Sequence, residues 1–278
     1  MAGRLILEIL YDHLSSYGRI AYETNPQGKT VPKPAKDRDS RLDVELVAET
    51  IMLYADKAGF YEEDVKDIGF YELDFRGLSF KYLLCEVPGF RWRSVLASDA
   101  DFSAAWVDNV DFHVCDFTYS GFYEAHLNEA EFTACNLTST QFNNSELSFG
   151  KFSDCTLKHT RFLNAIMDQV RFYSNEPLEY IKFVGAKLRG GYLTDIEFVN
   201  CIFTSADLTL ADFTASHLTH GIIQREQVNT IIYDENAPPR NLPDELIAPE
   251  DRAYIVGEDG KRRFVKSDKP WSEQLIDG

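Results

Sequence analysis

An apolar residue returns at every fifth position through the middle of this chain. Between Phe102 and Phe172, fifteen successive positions of this frame are apolar without exception. A small or modest side chain stands two residues before each of them, and the other three places in each unit are mostly polar. A period of five matches neither the 3.6-residue turn of an α-helix nor the two-residue alternation of a β-strand. The pattern therefore predicts a repeat architecture.

The same frame continues on both sides after small slips. Downstream it resumes at Phe183 and runs in steps of five to Val228. Upstream, six apolar residues keep the spacing: Phe70, Phe75, Phe80, Cys85, Phe90 and Val95. Their inner partners are often leucine (Leu73, Leu78 and Leu83) rather than a small residue, which predicts a first coil that is broader or less regular.

The units resemble those of a known family. Ala100-Asp101-Phe102-Ser103-Ala104 and Ala211-Asp212-Phe213 resemble the A-(D/N)-(L/F)-x-x unit of the pentapeptide-repeat proteins. That resemblance covers roughly residues 68–228 and implies an all-β solenoid, a right-handed quadrilateral β-helix in which four units close one coil. Residues twenty apart should then stack at the strand spacing of about 4.8 Å. The thirty-one units would form seven to eight coils, and a rod of about 35 Å.

Stacking at intervals of twenty residues predicts which side chains share a wall of the rod. One wall should contain Phe102, Phe122, Phe142 and Phe162, and the opposite wall Phe112, Phe132, Phe152 and Phe172. A third, thinner wall should contain Val107, Leu127, Leu147 and Met167. We expect the phenylalanine rings to pack in offset contact and to contribute heavily to stability.

The flanks divide the chain into three parts: an N-terminal helical and capping region over residues 1–67, the β-helix over residues 68–228, and a C-terminal extension over residues 229–278. In the extension, two β-rich runs flank Glu258-Asp259-Gly260, an Asp-Gly hairpin signal. We therefore expect a short β-hairpin there, with Trp271 folding back onto the rod.

The N-terminal region has helical spacing of apolar residues over residues 41–57, with Ser40 as its N-cap. This helix is predicted to cover the open end of the solenoid, since solenoids need such caps. A second helix is predicted over residues 4–14. The three prolines and several lysines of residues 25–39 predict a mobile linker.

The charge of the chain limits its partners. The 278 residues carry a formal net charge of −17 at pH 7, which argues against direct nucleic-acid binding and against adhesion to anionic membranes. It permits a protein partner that is basic or that itself grips nucleic acid. There is no evident signal peptide and no run of the roughly eighteen apolar residues that a membrane helix needs. Five cysteines, an odd number, fit a reducing compartment, so a cytoplasmic location is expected.

Three cysteines could suggest a metal site. Cys115, Cys135 and Cys155 lie twenty residues apart and should form a ladder on one inner edge of the rod. Zinc requires four tetrahedral ligands, however, and cysteine is also a good small core residue. We therefore expect the three thiols to fill space and expect no metal or cofactor.

Two further motifs could suggest catalysis. Ser148-Phe149-Gly150-Lys151 matches a serine acyl-transfer motif, but no oxyanion pocket or supporting motif accompanies it. His217 and His220 form an isolated pair. A solid-cored rod also lacks the cleft that catalysis normally needs. We expect no catalytic residue and no enzymatic activity, and an enzyme within residues 1–67 is the least favoured hypothesis.

The charged residues are distributed unevenly. From Ser94 to Gly150 there are nine acids and no lysine or arginine, whereas Lys151 and Arg171 continue an acidic ladder with the opposite sign. The eleven-residue step from Phe172 to Phe183 also predicts a loop that leaves the wall, and such loops are natural contact points. Ten residues are the candidate partner contacts: Asp101, Asp108, Asp111, Asp116, Glu124, Glu129, Glu131, Glu146, Glu176 and Tyr180.

These features favour a non-enzymatic protein-interaction or scaffold module built on an acidic rod. The alternative is a DNA-mimicking binder of a type II topoisomerase, because the chain is similar in repeat and acidity to the quinolone-resistance type of pentapeptide-repeat protein, which occupies the DNA site of gyrase. It differs from that type in its basic turn over residues 151–171, its N-terminal region and its C-terminal hairpin. An acidic face that is only solvated and a homodimer are further options.

Overall fold

The structure is a computed structural model that describes residues 22–24, 29–33, 46, 48, 50, 69–85, 89–228, 230–234, 237, 239–240, 254–256 and 261–264. Its central part is a right-handed parallel β-solenoid of about seven turns. Six short strands stack in parallel along one side: β3 (Gly69–Tyr71), β4 (Arg91–Arg93), β5 (Asp111–His113), β6 (Glu131–Thr133), β7 (Lys151–Ser153) and β8 (Arg171–Tyr173). From β4 to β7 each strand pairs with the residues twenty positions later, so four five-residue units close each coil.

Each five-residue unit forms one wall of the rod. Its central apolar residue points inward, the inner partner two places earlier is also buried, and the residue two places later forms the corner. We name the walls by their central residues: wall A (Phe102, Phe122, Phe142, Phe162), wall B (Val107, Leu127, Leu147, Met167), wall C (Phe112, Phe132, Phe152, Phe172) and wall D (Phe117, Leu137, Leu157, Leu178).

The predicted phenylalanine stacks of walls A and C are confirmed. Along wall A, Phe122 stacks on Phe102 and Phe142 with ring centroids 4.7 and 5.0 Å away. Along wall C, Phe132 lies 4.8 Å from Phe112 and 5.0 Å from Phe152 in the same parallel manner. Rings of the two walls meet edge to face across the axis, which is the arrangement that the ring quadrupoles favour.

The inner partners hold successive coils together when they are polar. Ser120 and Thr140 are fully buried, and their hydroxyls donate to the carbonyls of Ala97 and Phe117, 2.5 and 2.8 Å away in the preceding coil. These bonds satisfy groups that would otherwise be costly to bury. Serine or threonine can therefore stand at the inner-partner place, where other units have alanine, without leaving a buried hydroxyl unpaired.

The corner residues of the regular units adopt the left-handed conformation. Their φ lies between 52° and 62° at the non-glycine corners from Glu72 to His220, apart from Ser174, where the chain leaves the wall. Even the β-branched Val114 has a φ of 56°, although L-residues pay about 1–2 kcal/mol there. The ladder of hydrogen bonds to the next coil compensates for this strain, since the Val114 N–H donates to the Thr133 carbonyl at 2.9 Å.

The first coil differs from the prediction. Gly69 pairs with Arg91, so this coil is two residues longer than the others and carries the insertion between Cys85 and Arg91. Trp92 pairs with Phe112 and is the central residue. The assignment of Phe90 and Val95 as central residues was therefore wrong, because both occupy the inner-partner place. The prediction of a broader first coil agrees with the extra length.

The predicted interruption after Phe172 is present. Arg171 pairs with Tyr192, a step of twenty-one residues, whereas Leu178 again pairs with Phe198 at twenty. The extra residue therefore lies between β8 and β9 (Leu178–Glu179). Beyond it, β9, β10 (Glu197–Val199) and β11 (His217–Thr219) form a parallel sheet on wall D.

The N-terminal flank contains a hairpin that the prediction did not anticipate. Strands β1 (Tyr22–Thr24) and β2 (Thr30–Pro32) pair in antiparallel fashion, and β2 lies inside the segment predicted as a linker. Leu46, Ala48 and Thr50 are helical, and Ala48 is fully buried. The rest of the helix predicted over residues 41–57 and all of residues 4–14 lie outside the described residues, so the helical cap remains a prediction.

The C-terminal hairpin is confirmed. Strand β13 (Tyr254–Val256) pairs with β14 (Lys261–Phe264), and β14 also pairs with β12 (Ile232–Asp234). A short helix, α1 (Arg225–Val228), precedes β12, and Ile232 continues the parallel ladder from Asp212. Trp271 lies outside the described residues. No helical segment in the described part of the chain is long and apolar enough to cross a membrane.

Candidate protein-interaction surface

The outer ladder of wall C changes sign once between β5 and β8, from acidic to basic. Asp111, Glu131, Lys151 and Arg171 occupy equivalent places in β5 to β8. Lys151 forms an ion pair with Glu131, and Arg93 lies 3.3 Å from Asp111. Two of the ten candidate contacts are therefore neutralised within the chain.

Three other candidate contacts are engaged within the repeat itself. Asp101 and Asp116 cap their turns, since each accepts hydrogen bonds from the N–H of the residue two places later, Ser103 and Thr118, at 3.0 Å. Asp108 accepts a 2.6 Å bond from the Asn128 N–H in the next coil. This capping explains why Asp or Asn precedes so many central residues.

The carboxyl of Asp101 also pairs with a cation. Lys81 lies 3.1 Å away, in the coil before. Partial burial acts to raise the pKa of Asp101, but the hydrogen bonds from Ser103 and the charge of Lys81 together outweigh it and lower this pKa below its usual value. Asp101 is therefore a structural carboxylate that stays ionised.

The remaining five candidates do not form one site. Glu146 contacts His126 Nδ1 at 3.2 Å on wall B. Tyr180 is a corner residue of wall D, and its ring stacks on His159 with centroids 4.9 Å apart. Glu124, Glu129 and Glu176 are exposed at separate corners or in the loop. Of the ten, the structure brings only Glu129 and Glu131 together in one concave surface.

That surface is a groove of about 420 Å³ along the corner between walls B and C. The groove is lined by Asn109, Glu129, Glu131, Phe149, Lys151, Gln169 and Arg171. Phe149 stands in the middle of it with 51% of the side chain exposed. Arg171 lies at one end with its guanidinium carbon 5.1 Å from the centre of the Tyr192 ring, and Glu129 lies on the far side of Phe149. An acidic side chain, an aromatic ring and a basic side chain thus follow one another along the groove.

A second, smaller cavity of about 180 Å³ lies where the chain leaves the wall before β9. It is lined by Cys155, Leu157, Lys158 and the loop residues 174–177. Lys158 pairs with Glu179 at 2.6 Å across its rim. The cavity contains two of the candidate features, the loop and Glu176.

The cysteine ladder is buried and hydrogen-bonded. Cys115, Cys135 and Cys155 donate to the carbonyls of Trp92, Phe112 and Phe132, each at 3.3 Å. Burial raises the pKa of the Cys135 thiol well above its usual value. Within the described residues, no group of three or more His, Cys, Asp or Glu side chains is placed to hold a metal ion.

Two family models match the repeat by sequence. The model of the pentapeptide repeat region matches residues 105–183, and the model of eight pentapeptide repeats matches residues 181–219. The chain is a pentapeptide-repeat protein. The matched residues include the stacked coils and the groove at Phe149.

Solved pentapeptide-repeat structures give further matches. A structure of trypsin-treated QnrB1, a plasmid-mediated fluoroquinolone resistance protein, is 20% identical, with a TM-score of 0.32, over 55% of this chain and 74% of that one. HetL, from the cyanobacterium Nostoc and involved in the regulation of heterocyst differentiation, is 17% identical, with a TM-score of 0.23, over 61% and 92%. Neither likeness bears on what this chain binds. No curated protein matches the chain by sequence.

Sequence reasoning on the pentapeptide repeat missed Phe149 as a contact residue. The signal was present, because the corner place is polar or small in most units, whereas here it holds a phenylalanine. Lys151 and Arg171 were noted only for their sign. Lys151 and Arg171 share a groove with Phe149 because successive coils stack at the corner between walls B and C. A list of the repeats in chain order does not show this stacking.

Proposed function

We propose that this protein is a non-enzymatic interaction module that binds a protein partner through the groove around Phe149. The observation that carries the proposal is Phe149, a large aromatic residue that stands half-exposed among the charged side chains of the groove. Its φ is 62°, where asparagine or glycine would be less strained, and half of its side chain faces solvent. A phenylalanine at this corner does not add to the packing of the core. Backbone strain that does not stabilise the fold is typical of functional sites.

The lining of the groove indicates the chemistry of the partner. An exposed aromatic beside an arginine is the composition that dominates binding energy in protein interfaces. Arg171 has no carboxylate within 4 Å among the described residues and is available to an acidic group. We therefore expect a partner segment that places an apolar side chain on Phe149 and a carboxylate at Arg171. The five free thiols support a reducing compartment such as the cytoplasm as the place of this interaction.

Replacing Phe149 with asparagine should separate binding from folding. Phe149→Asn removes the ring from the groove but suits the positive φ, so the melting temperature should stay equal or rise. Affinity capture from the native host should lose the partner by at least about tenfold, the effect expected of an interface hot spot. The measurement is quantitative capture with the wild-type and variant rods immobilised side by side.

The matched control is Tyr119→Asn. Tyr119 is also an aromatic corner residue, with a φ of 61° and 61% of its side chain exposed, but it lies outside the groove. This variant should retain the partner. Equal retention by both variants, or equal loss, would reject the groove as the binding surface.

DNA mimicry is the second candidate function. It is favoured by Glu124 and Glu129, which are exposed, form no ion pair in the described part of the chain, and lie in the stretch without lysine or arginine. The ion pairs of Asp101, Asp111 and Glu131 weaken it, because they neutralise three of the nine acids in that stretch. If mimicry holds, micromolar protein should inhibit gyrase supercoiling or protect it from a fluoroquinolone, and Glu124→Lys with Glu129→Lys should abolish the effect. No effect of the wild-type protein would reject this function.

A further inference from the structure

Wall A becomes apolar on its outer surface toward the C-terminal end of the rod. Phe183 continues the inner stack of this wall, with ring centroids 5.3 Å from Phe162 and 4.9 Å from Phe203. In the earlier coils the outward places hold mainly polar side chains such as Gln141 and Asn143. In the later coils they form what we call the apolar–basic face: Arg161, Leu163, Lys182, Val184, Ile202 and Ile222.

The aliphatic side chains of this face are adjacent to one another. Ile222 is 52% exposed, and Ile202, its bridged neighbour in the preceding coil, is partly exposed. Leu163 and Val184 are also partly exposed, in the parallel column of outward places. A single apolar side chain at the surface is ordinary, whereas a contiguous group of them marks an interaction site. Four neighbouring aliphatic side chains therefore favour a docking surface.

The cations of this face are unpaired within the described part of the chain. Arg161 and Lys182 are exposed and bridged to each other in successive coils, so two like charges stand side by side. Lys187 is exposed nearby on wall B, in the coil of Lys182. None of the three has a carboxylate within 4 Å among the described residues, whereas Lys158 and Arg189 both do. The three cations are therefore available to carboxylates of a partner.

The charge of this face is opposite to that of the whole chain. The chain contains 45 aspartates and glutamates and has a net charge of −17. Neither residue type occurs in the segments that form the face, which are residues 161–164, 182–185, 202–205 and 222–224. A complementary partner therefore presents carboxylates at the end with the two cations and aliphatic side chains at the end with the two isoleucines.

We propose that the apolar–basic face binds an acidic segment of a protein partner. Carboxylates of the segment lie over Arg161 and Lys182, and its aliphatic side chains pack on Ile202 and Ile222. Three coil steps separate Arg161 from Ile222, so the segment spans about 14 Å, or about ten residues if it is helical. The face lies on a different wall from the Phe149 groove, so this proposal does not rest on the proposed function.

A protein segment suits this face better than a nucleic acid or an anionic membrane does. Proteins that bind single-stranded nucleic acids stack the bases on aromatic side chains, whereas the outward apolar side chains here are aliphatic. Electrostatic adhesion to a membrane uses clusters of about four to eight basic residues, and this face has only Arg161 and Lys182, with Lys187 beside them. The other two partners serve as competing arms of the experiment.

Selection of random twelve-residue peptides displayed on phage tests the proposal, with the full chain as the target. One class of the retained peptides should carry aspartate or glutamate beside aliphatic residues. Synthetic copies of this class should bind Arg161→Gln and Ile222→Thr proteins at least about tenfold more weakly than the wild type, as measured by fluorescence anisotropy. Added salt should weaken their binding to the wild type. Peptides that are lost on Phe149→Asn instead belong to the groove.

The matched control is Arg171→Gln. Arg171 occupies the outer place of wall C that corresponds to Arg161 on wall A, and both are exposed. Its replacement removes the same charge and should leave these peptides bound. All three variants should melt with the wild type, because the changed side chains point outward.

Three results would overturn the proposal. The first is a selection in which no class of peptides depends on both Arg161 and Ile222. The second is equal weakening by Arg171→Gln and Arg161→Gln, because only net charge would then matter. The third is a different occupant: single-stranded DNA, phosphatidylserine vesicles or a second copy of the chain that binds the wild type and is lost on Arg161→Gln.

Discussion

Replacing Phe132 with alanine is expected to lower the free energy of unfolding by about 3–5 kcal/mol. Phe132 is completely buried at the middle of wall C. Its ring stacks between Phe112 and Phe152 and meets Phe142 edge to face at 5.8 Å. Because each coil is held by its neighbours, the coils above and below cannot collapse into the space that the ring leaves. Thermal and denaturant unfolding followed by circular dichroism would measure the loss.

The control for this experiment is Tyr173→Ala on the outside of the same wall. Half of the Tyr173 side chain is exposed, and its removal should change stability by no more than about 0.5 kcal/mol. A Phe132→Ala protein that melts within a degree of the wild type would contradict the stacked core.

Alkaline pH is expected to destabilise the rod more strongly than any single core substitution. The thiols of Cys135, Cys155 and Cys201 are buried, and the folded state holds them protonated. Burial raises the pKa of Cys135, the hydrogen bond with Cys135 and then burial raise that of Cys155, and burial raises the pKa of Cys201 to about 12. In the unfolded chain a thiol ionises near pH 8.5. Stability is therefore fully present below about pH 8.5 and falls as the pH rises toward the folded pKa.

Each of the three thiols should remove about 1.4 kcal/mol of stability for every pH unit above about 9. Together they predict a slope of about 4 kcal/mol per unit, which denaturant unfolding at a series of pH values would measure. The variant with all three cysteines changed to alanine supplies the control, since alanine already occupies the inner-partner place at Ala100, Ala105 and Ala125. Its slope should lack the share that these three thiols contribute. An identical slope in both proteins would refute the assignment to the thiols.

The repeat could be predicted because the five residues of each unit show which side chains point toward the core and which point toward solvent. Within five residues, a large apolar side chain must fill the axis and a small one must lie beside it, so the pattern at Phe122 or Leu127 already separates inside from outside. Stacking at intervals of twenty residues then followed for walls A to D. The C-terminal hairpin was predictable for a similar reason, because the Asp-Gly turn chemistry is local.

The first coil could not be predicted in the same way. Phe90 and Val95 are as buried as Trp92 and Ala97, so two frames two residues apart are equally apolar. Only the pairing of Trp92 with Phe112 distinguishes them. The N-terminal hairpin escaped prediction because neither of its strands is longer than three residues.

The candidate surface was predicted less well than the core. Acidic residues were chosen because they are charged and outward, but Asp101 and Asp116 cap turns, and Asp111 and Glu131 pair with cations one coil away. Those partners lie eighteen or twenty residues distant in the chain. Whether an outward acid is free depends on which residue stacks beside it.

By itself, the sequence determined the solenoid, its register of twenty residues and the identity of its core, because orientation within a unit is a local property. Only the tertiary structure decided where that register lengthens, which acids are neutralised, and that Phe149, Arg171 and Glu129 share one groove. These are relations between coils, and they depend on the length of every coil between them rather than on any one unit.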